Sequence, residues 1–269
     1  MTIPSGLTKN NEYPFRAMWK GAFSTKGGNK MEVYIVTGAS KGIGKALMDQ
    51  LESEGHIVYG LARTNDEARR NLVKVDVTAD AATIEIEQFV KRHLDEATSF
   101  TLINNAGIVE PIGLVGSLER EAIERALDVN VAAPIQLANA FISALQNEDV
   151  EKRIMNISSG AGRKQYDGWG VYGTTKAALD HFSTIVHEEQ KKQPYPVQIV
   201  SIAPGIIDTN MQEVIRSSDE SHFPLLERFI DYKETGALAT PEETAARLLA
   251  FLRSEWMNER IIADVRDVE

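Results

Sequence analysis

From residue 31 onward, short runs of apolar, often β-branched residues alternate with longer stretches whose apolar positions recur every three or four residues. The short runs are VYIVT (33–37), IVYGLA (57–62), LVKVDV (72–77), TLINNAG (101–107), RIMNIS (153–158), VQIVSIAPG (197–205) and RIIADV (260–265). Several are apolar almost throughout, as expected of strands covered on both faces of a parallel sheet. The stretches between them predict helices over 42–54, 80–97, 117–146, 170–192 and 241–253. The last opens on Thr240-Pro241-Glu242-Glu243, which offers an N-cap hydroxyl, a proline in the first turn and a glutamate at capping-box spacing. Alternation along the whole length predicts an α/β fold: one doubly wound, mainly parallel seven-stranded sheet with helices on both faces. Residues 206–239 break the rhythm with a long polar segment carrying short apolar patches. It follows a strand's carboxyl end, where open α/β sheets bind ligands, and reads as a substrate-side flap.

The first thirty residues look different. They contain five Lys/Arg and one acid, several glycines and no clean period, and no continuous apolar stretch of the secretory kind. Met31 then opens MEVYIVTG abruptly. Residues 1–30 are therefore expected to be an extension, tag-derived or disordered, preceding a catalytic unit at 31–269; a short natural arm packing on the body is the other reading.

Composition narrows the function classes. Across 269 residues the chain is 43% hydrophobic and 25% charged, enough to bury a large core without staples. It has no cysteine, so disulfides and thiolate metal sites are excluded, and no metal site is expected. A net charge of −10 argues against a nucleic-acid or anionic-membrane partner. No apolar run approaches the roughly 18 residues of a membrane span, so a cytoplasmic protein is expected.

The chemistry starts at TGASKGIG (37–44), directly after the first strand and leading into KALMDQLES. Gly38, Gly42 and Gly44 permit a tight turn and close backbone approach to a pyrophosphate, while the helix that follows offers free N–H groups and its positive dipole end. Ser40, Lys41 and Ile43 complete this cofactor turn. The second strand ends GLARTND, placing Arg63 about where an acid would bind a ribose 2′-hydroxyl. Two cations, Lys41 and Arg63, suit a 2′-phosphate instead, because each charge-assisted hydrogen bond contributes roughly 1.5–3 kcal/mol. NADP(H) is thus expected over NAD(H), although Asp66 and Glu67 follow shortly. Asp76, with Val77 beside it, is placed to accept from an adenine amino group. NNAG ends the fourth strand, with Asn104, Ala106 and Gly107 expected at the cofactor.

Tyr172 and Lys176 lie four apart in YGTTK, on one face of a predicted helix. Ser159 lies thirteen positions before the tyrosine, and Asn130 lies in LDVNVAAP. Taken with T-G-x-x-x-G-x-G, N-N-A-G and PG followed by IIDT, this order and spacing resembles the classical short-chain dehydrogenases/reductases over about 31–265, and with them a Rossmann-type fold. The resemblance implies a catalytic set of Asn130, Ser159, Tyr172 and Lys176. Tyr172 would donate a proton to a carbonyl as hydride arrives, and Ser159 would hydrogen-bond its oxygen. Lys176 would bind the nicotinamide ribose and Asn130 a relay water. A free tyrosine has a pKa near 10, and an ammonium 4–5 Å away would favour the phenolate by up to ~4 kcal/mol at an effective dielectric near 20. Pro204, Gly205, Ile207 and Thr209 resemble the family's nicotinamide-contacting turn. The family further implies a homodimer or homotetramer paired through helices 117–146 and 170–192.

Two longer stretches, 156–182 and 202–238, resemble the group containing benzil reductases and sepiapterin reductase, implying NADPH-dependent reduction of one carbonyl of a small diketone. Expected pocket residues are Gly160, Ala161, Tyr166, Trp169, Met211 and Phe223, with the two larger rings as an aromatic wall or as core beneath the flap. Asp264 stands roughly where a sepiapterin reductase holds the pterin's amino groups, so reduction of a pterin side chain is the alternative. A non-catalytic NADP-binding regulator would be expected to lack Tyr172 or Lys176. A sugar-nucleotide epimerase would carry T-G-x-x-G-x-x-G.

Overall fold

The structure, a computed structural model, describes residues 31–268; the expectations for residues 1–30 lie outside the described residues. Seven parallel strands make one sheet: β1 (Met31–Thr37), β2 (Ile57–Ala62), β3 (Leu72–Lys74), β4 (Ala97–Asn104), β5 (Glu151–Ile157), β6 (Gln198–Ala203) and β7 (Ile262–Asp264). Their spatial order is β3-β2-β1-β4-β5-β6-β7. The order reverses beside β1, between β1 and β4, which opens a crevice above the strands' carboxyl ends. The register sets Val33 opposite both Ile57 and Phe100.

Alternation inside β1 decides which helix packs where. Tyr34 and Val36 face one layer with Leu47, Met48 and Leu51 of α1 (Gly42–Ser53) and Leu248, Leu249 and Leu252 of α8 (Pro241–Leu252). Val33 and Ile35 face the other layer, with Ile86 and Phe89 of α2 (Asp80–His93), Leu137 and Phe141 of α4 (Ala133–Leu145), and Val186 of α5 (Gly170–Gln190). Full burial of such side chains stabilises by roughly 1.5–3 kcal/mol each. The doubly wound α/β sheet expected from the pattern is the observed one. At α8 the capping box is complete: Thr240 Oγ1 accepts from the Glu243 amide (3.1 Å) and Glu243 Oε2 from the Thr240 amide (3.0 Å).

Two predicted elements differ in more than their ends. The helix expected over 117–146 is three pieces, α3 (Arg120–Leu127), a π-helical turn (Asp128–Ala132) and α4. The flap is not irregular. It contains α6 (Asn210–Arg216) and α7 (Leu226–Glu234), and its ends meet where the Asp208 amide donates to Ala239 (2.9 Å) and the Ala239 amide to Ile206 (3.0 Å). A short helix α9 (Trp256–Glu259) precedes β7.

Candidate active site

A single cleft of about 500 Å³ runs above the carboxyl ends of the strands, from Arg63 and Asp76 at one end, past Tyr172 and Lys176, to Arg228 and Arg266 at the other. The residues after β1 form its first wall. Gly38 and Gly42 have positive φ (66° and 56°), and a Cβ on Gly44 would stand 2.3 Å from the Gly38 carbonyl oxygen. No side chain caps the α1 N-terminus, so its first-turn N–H groups are available to an anion. Ser40, Lys41, Ile43 and Val77 line the same end. Neither Lys41 nor Arg63 has a side-chain hydrogen-bond or ion-pair partner among the described residues. Glu67, the nearby acid, pairs with Lys45 instead (3.4 Å). The chemistry of this end fits the phosphates of a dinucleotide.

Asp76 is not a free acceptor. Its Oδ2 takes Arg125 Nη2 (2.8 Å) and its Oδ1 takes the Thr78 hydroxyl (2.8 Å) and amide (3.0 Å). Partial burial opposes its ionisation, but these partners win and hold the carboxyl down at about 2. Arg125 lines the cleft beside it; it was not among the residues expected from sequence, and its only signal was its place five before Asn130.

In NNAG one expected role shifts by a residue, while Ala106 and Gly107 line the cleft as expected. Asn104 does not line the cleft. Its amide lies behind, donating to Asn156 Oδ1 (2.9 Å). Asn105 lines the cleft and ties the glycine turn down, donating to the Thr37 carbonyl (2.9 Å). The Ala106 amide donates to Thr37 Oγ1 (3.0 Å), and Gly107 continues the wall.

The π-helical turn delivers Asn130, which is 1% exposed. Such turns add one residue to a helix and re-aim the side chains around it. Asn130 grips the segment after β4 from both sides, accepting from the Ile108 amide (2.9 Å) and donating to the Ile108 carbonyl (2.8 Å). A Cβ built on Gly107 would lie 3.3 Å from Asn130 Oδ1 and 3.6 Å from Lys176 Nζ, so that gap lies between the two side chains. Asn130 itself does not line the cleft.

Ser158 and Ser159, adjacent in sequence, part company. Ser158 Oγ donates to Asp180 Oδ1 (2.6 Å) and is buried. Ser159 lines the cleft with Tyr172 and accepts from the Ala161 amide (3.2 Å). Lys176 Nζ donates to the Ile157 carbonyl (2.8 Å) and lies 5.8 Å from the centre of the Tyr172 ring. Burial pushes the Tyr172 phenol above its ordinary value, with the nearby Ser159 hydroxyl opposing it. Desolvation therefore sets the direction at Tyr172, against the lowering that an ammonium alone would give. Lys176 is also desolvated, which brings it down to about 8, and Asp180 pulls the other way. Asp180, one turn beyond Lys176, also accepts from Ser201 (2.6 Å) and Arg163 Nε (3.0 Å). Sequence reasoning missed this carboxylate, although its i+4 spacing from Lys176 continues the Tyr172–Lys176 face.

At the substrate end Gly160, Ala161, Tyr166, Trp169 and Met211 line the cleft as expected. Trp169 anchors an aromatic cluster, stacked on Phe223 (5.1 Å) and edge-on to Tyr172 (5.4 Å), Tyr166 (5.5 Å) and Phe229 (5.2 Å). Phe223 is fully buried behind Trp169 and does not line the cleft; Phe229 and Tyr232 of α7 do. Asp264 does line it, but Arg266 holds its carboxylate through both Nε (2.8 Å) and Nη2 (2.6 Å). Pro204, Gly205 (φ 91°), Ile207 and Thr209 follow β6 and close the middle of the cleft.

A doubly wound sheet, a glycine turn over an uncapped helix and a Ser-Tyr-Lys group in one cleft define a nucleotide-dependent oxidoreductase. The profile of the short chain dehydrogenase family matches residues 32–220, and the chain belongs to that family. It is 38% identical over 236 residues to benzil reductase ((S)-benzoin forming) of Bacillus subtilis, covering 86% of this chain and 97% of that one. The Bacillus cereus enzyme of the same name is 36% identical over 239 residues, covering 84% and 95%. Sepiapterin reductase of Rattus norvegicus is 26% identical over 258 residues, covering 88% and 97%. Among solved structures, the KRED1-Pglu enzyme superposes with a TM-score of 0.73 at 29% identity, covering 86% of this chain and 99% of that one. The family implies a nicotinamide cofactor.

Proposed function

We propose that the protein is an NADPH-dependent carbonyl reductase acting on one carbonyl of a small aromatic or aliphatic α-diketone. The observation that carries this reading is the grouping of Ser159, Tyr172 and Lys176 in one cleft, set between a phosphate-ready glycine turn and an aromatic wall. Similarity to the two benzil reductases supports the diketone class. The unpaired cations Lys41 and Arg63 support NADPH over NADH.

A reduced nicotinamide bound in the middle of the cleft would supply hydride. Tyr172, whose buried phenol keeps its proton at neutral pH, gives that proton to the carbonyl oxygen as negative charge develops there. Ser159 hydrogen-bonds the same oxygen and fixes which carbonyl sits beneath the phenol. Lys176, held at the Ile157 carbonyl, supplies the positive charge that makes the resulting phenolate tolerable in a dry site. Asn130 positions the backbone at Ile108 and, across Gly107, faces Lys176. Trp169 and Tyr166 present rings to a flat substrate and exclude water from its far side.

The test is oxidation of NADPH in the presence of a diketone panel, followed by absorbance and by product analysis. Turnover of benzil or 1-phenyl-1,2-propanedione is the expected result; tight NADPH binding with no carbonyl reduced would sink the reading. Tyr172→Phe is expected to lower kcat by about 10²–10⁴-fold, the range for loss of a positioned acid, with NADPH binding retained.

A further inference from the structure

The charge along the cleft inverts that of the chain. Acids outnumber Lys and Arg by 39 to 29 in the sequence. Among the residues lining the cleft, cations outnumber acids eight to two. Three of the cations, Lys41, Arg63 and Arg125, stand at the end that suits the cofactor's phosphates, and Lys176 is at the centre. The other four, Arg163, Lys164, Arg228 and Arg266, stand at the substrate end, where Asp264 is the one acid among the residues lining the cleft.

Two of those four already have carboxylate partners: Arg163 is bonded to Asp180 and Arg266 to Asp264. The remaining two are uncommitted. The Lys164 side chain has no hydrogen-bond or ion-pair partner among the described residues. Arg228 lies with its guanidinium 5.4 Å from the centre of the Tyr232 ring, and its Nε donates to the Tyr232 hydroxyl (2.5 Å). That contact orients the fork and leaves both terminal nitrogens without an acceptor among the described residues. The two cations come from independent elements, Lys164 from the segment after the Ser159 turn and Arg228 from flap helix α7. Beside them the Trp169–Tyr166 wall takes a flat apolar body.

The geometry points to a carbonyl substrate with an anionic group remote from the carbonyl that is reduced, bound by Lys164 and Arg228; this rests on the reductase reading above. A neutral diketone fills only the aromatic part of the site. The anion is a carboxylate or a phosphate ester, which share the chemistry that an arginine fork and an ammonium recognise.

The experiment compares kcat/KM for benzil, 4-carboxybenzil and 4-phosphonobenzil at low ionic strength with NADPH saturating. The charged compounds are expected to exceed benzil by about tenfold, as for one charge-assisted contact. The ratio should shrink toward one at about 0.5 M salt and in Lys164→Gln, Arg228→Gln and the double variant. The larger ratio, carboxylate or phosphonate, assigns the class of anion. A ratio of one or less in the parent protein, or a ratio indifferent to both substitutions, overturns the inference. If no diketone is reduced, the reductase reading fails, and calorimetry decides this one separately: NADP-loaded protein should bind 4-carboxybenzoin tighter than benzoin, and equal affinities would refute it.

Discussion

At the scale of single residues, the site depends on how burial is offset. Lys176 loses much of its affinity for a proton because it is buried, and the nearby Asp180 restores part of it. The ammonium is the form that stabilises a phenolate, so reduction should fail as pH rises through the value at which Lys176 gives up its proton. Asp180→Asn removes the restoring charge and lets that value fall further below about 8. The alkaline limb of kcat/KM against pH is therefore expected to move to lower pH in the variant. A limb that stays in place would show that the charge on Lys176 does not govern the step. At the other end of the cleft, Arg63 and Lys41 have no competing carboxylate. Arg63→Ala is expected to lower kcat/KM for NADPH by about 10–100-fold, the loss of one charge-assisted contact, and to leave NADH nearly unaffected. Steady-state kinetics with both cofactors would read the difference.

At the scale of elements, the sequence was most legible where one signal acted alone. The run IVYGLA matches β2 residue for residue, since every position is buried and none competes for another role. TPEE marks the α8 start because the cap is a local hydrogen-bond circuit. Thr240→Ala is expected to cost about 1 kcal/mol in a denaturant unfolding experiment, as for other lost N-caps. The less legible elements involve competition. DVN lies inside a continuous amphipathic pattern, and nothing in its residue types distinguishes a π turn from an α turn; the extra residue shows only in how Asn130 meets Ile108. The flap helices were obscured for another reason. Ile215 of α6, Phe229 of α7 and Phe223 between them cluster with Trp169, a partner distant in sequence, so they form no stripe wide enough to be seen from periodicity. The one-residue slip at NNAG is of the same kind. Two identical amides end β4, and only the pleat decides that Asn104 points to Asn156 while Asn105 holds the glycine turn.

At the scale of the molecule, the exposed positions of α5 include Ala177, His181 and Ile185, spaced as one helical stripe, with Ile185 45% exposed. The family pairs its subunits through helices in this region, so a homodimer or homotetramer is the expected solution state. Sedimentation equilibrium should give a multiple of 29.8 kDa, and Ile185→Glu should shift the population toward monomer. An unchanged distribution would place the interface elsewhere.

The clasp between Asp208 and Ala239 has a different consequence. Everything from α6 through α7 leaves and re-enters the sheet's edge through neighbouring residues, closed by two backbone hydrogen bonds. Lengthening or replacing such an excursion costs little in chain entropy, because closure depends only weakly on loop length. The sheet, the glycine turn and the Ser159–Tyr172–Lys176 group stay outside it. The excursion is thus an exchangeable cassette: a descendant of this chain would acquire a new ketone by rewriting residues 210–238, with its catalytic and nucleotide-facing side chains inherited intact.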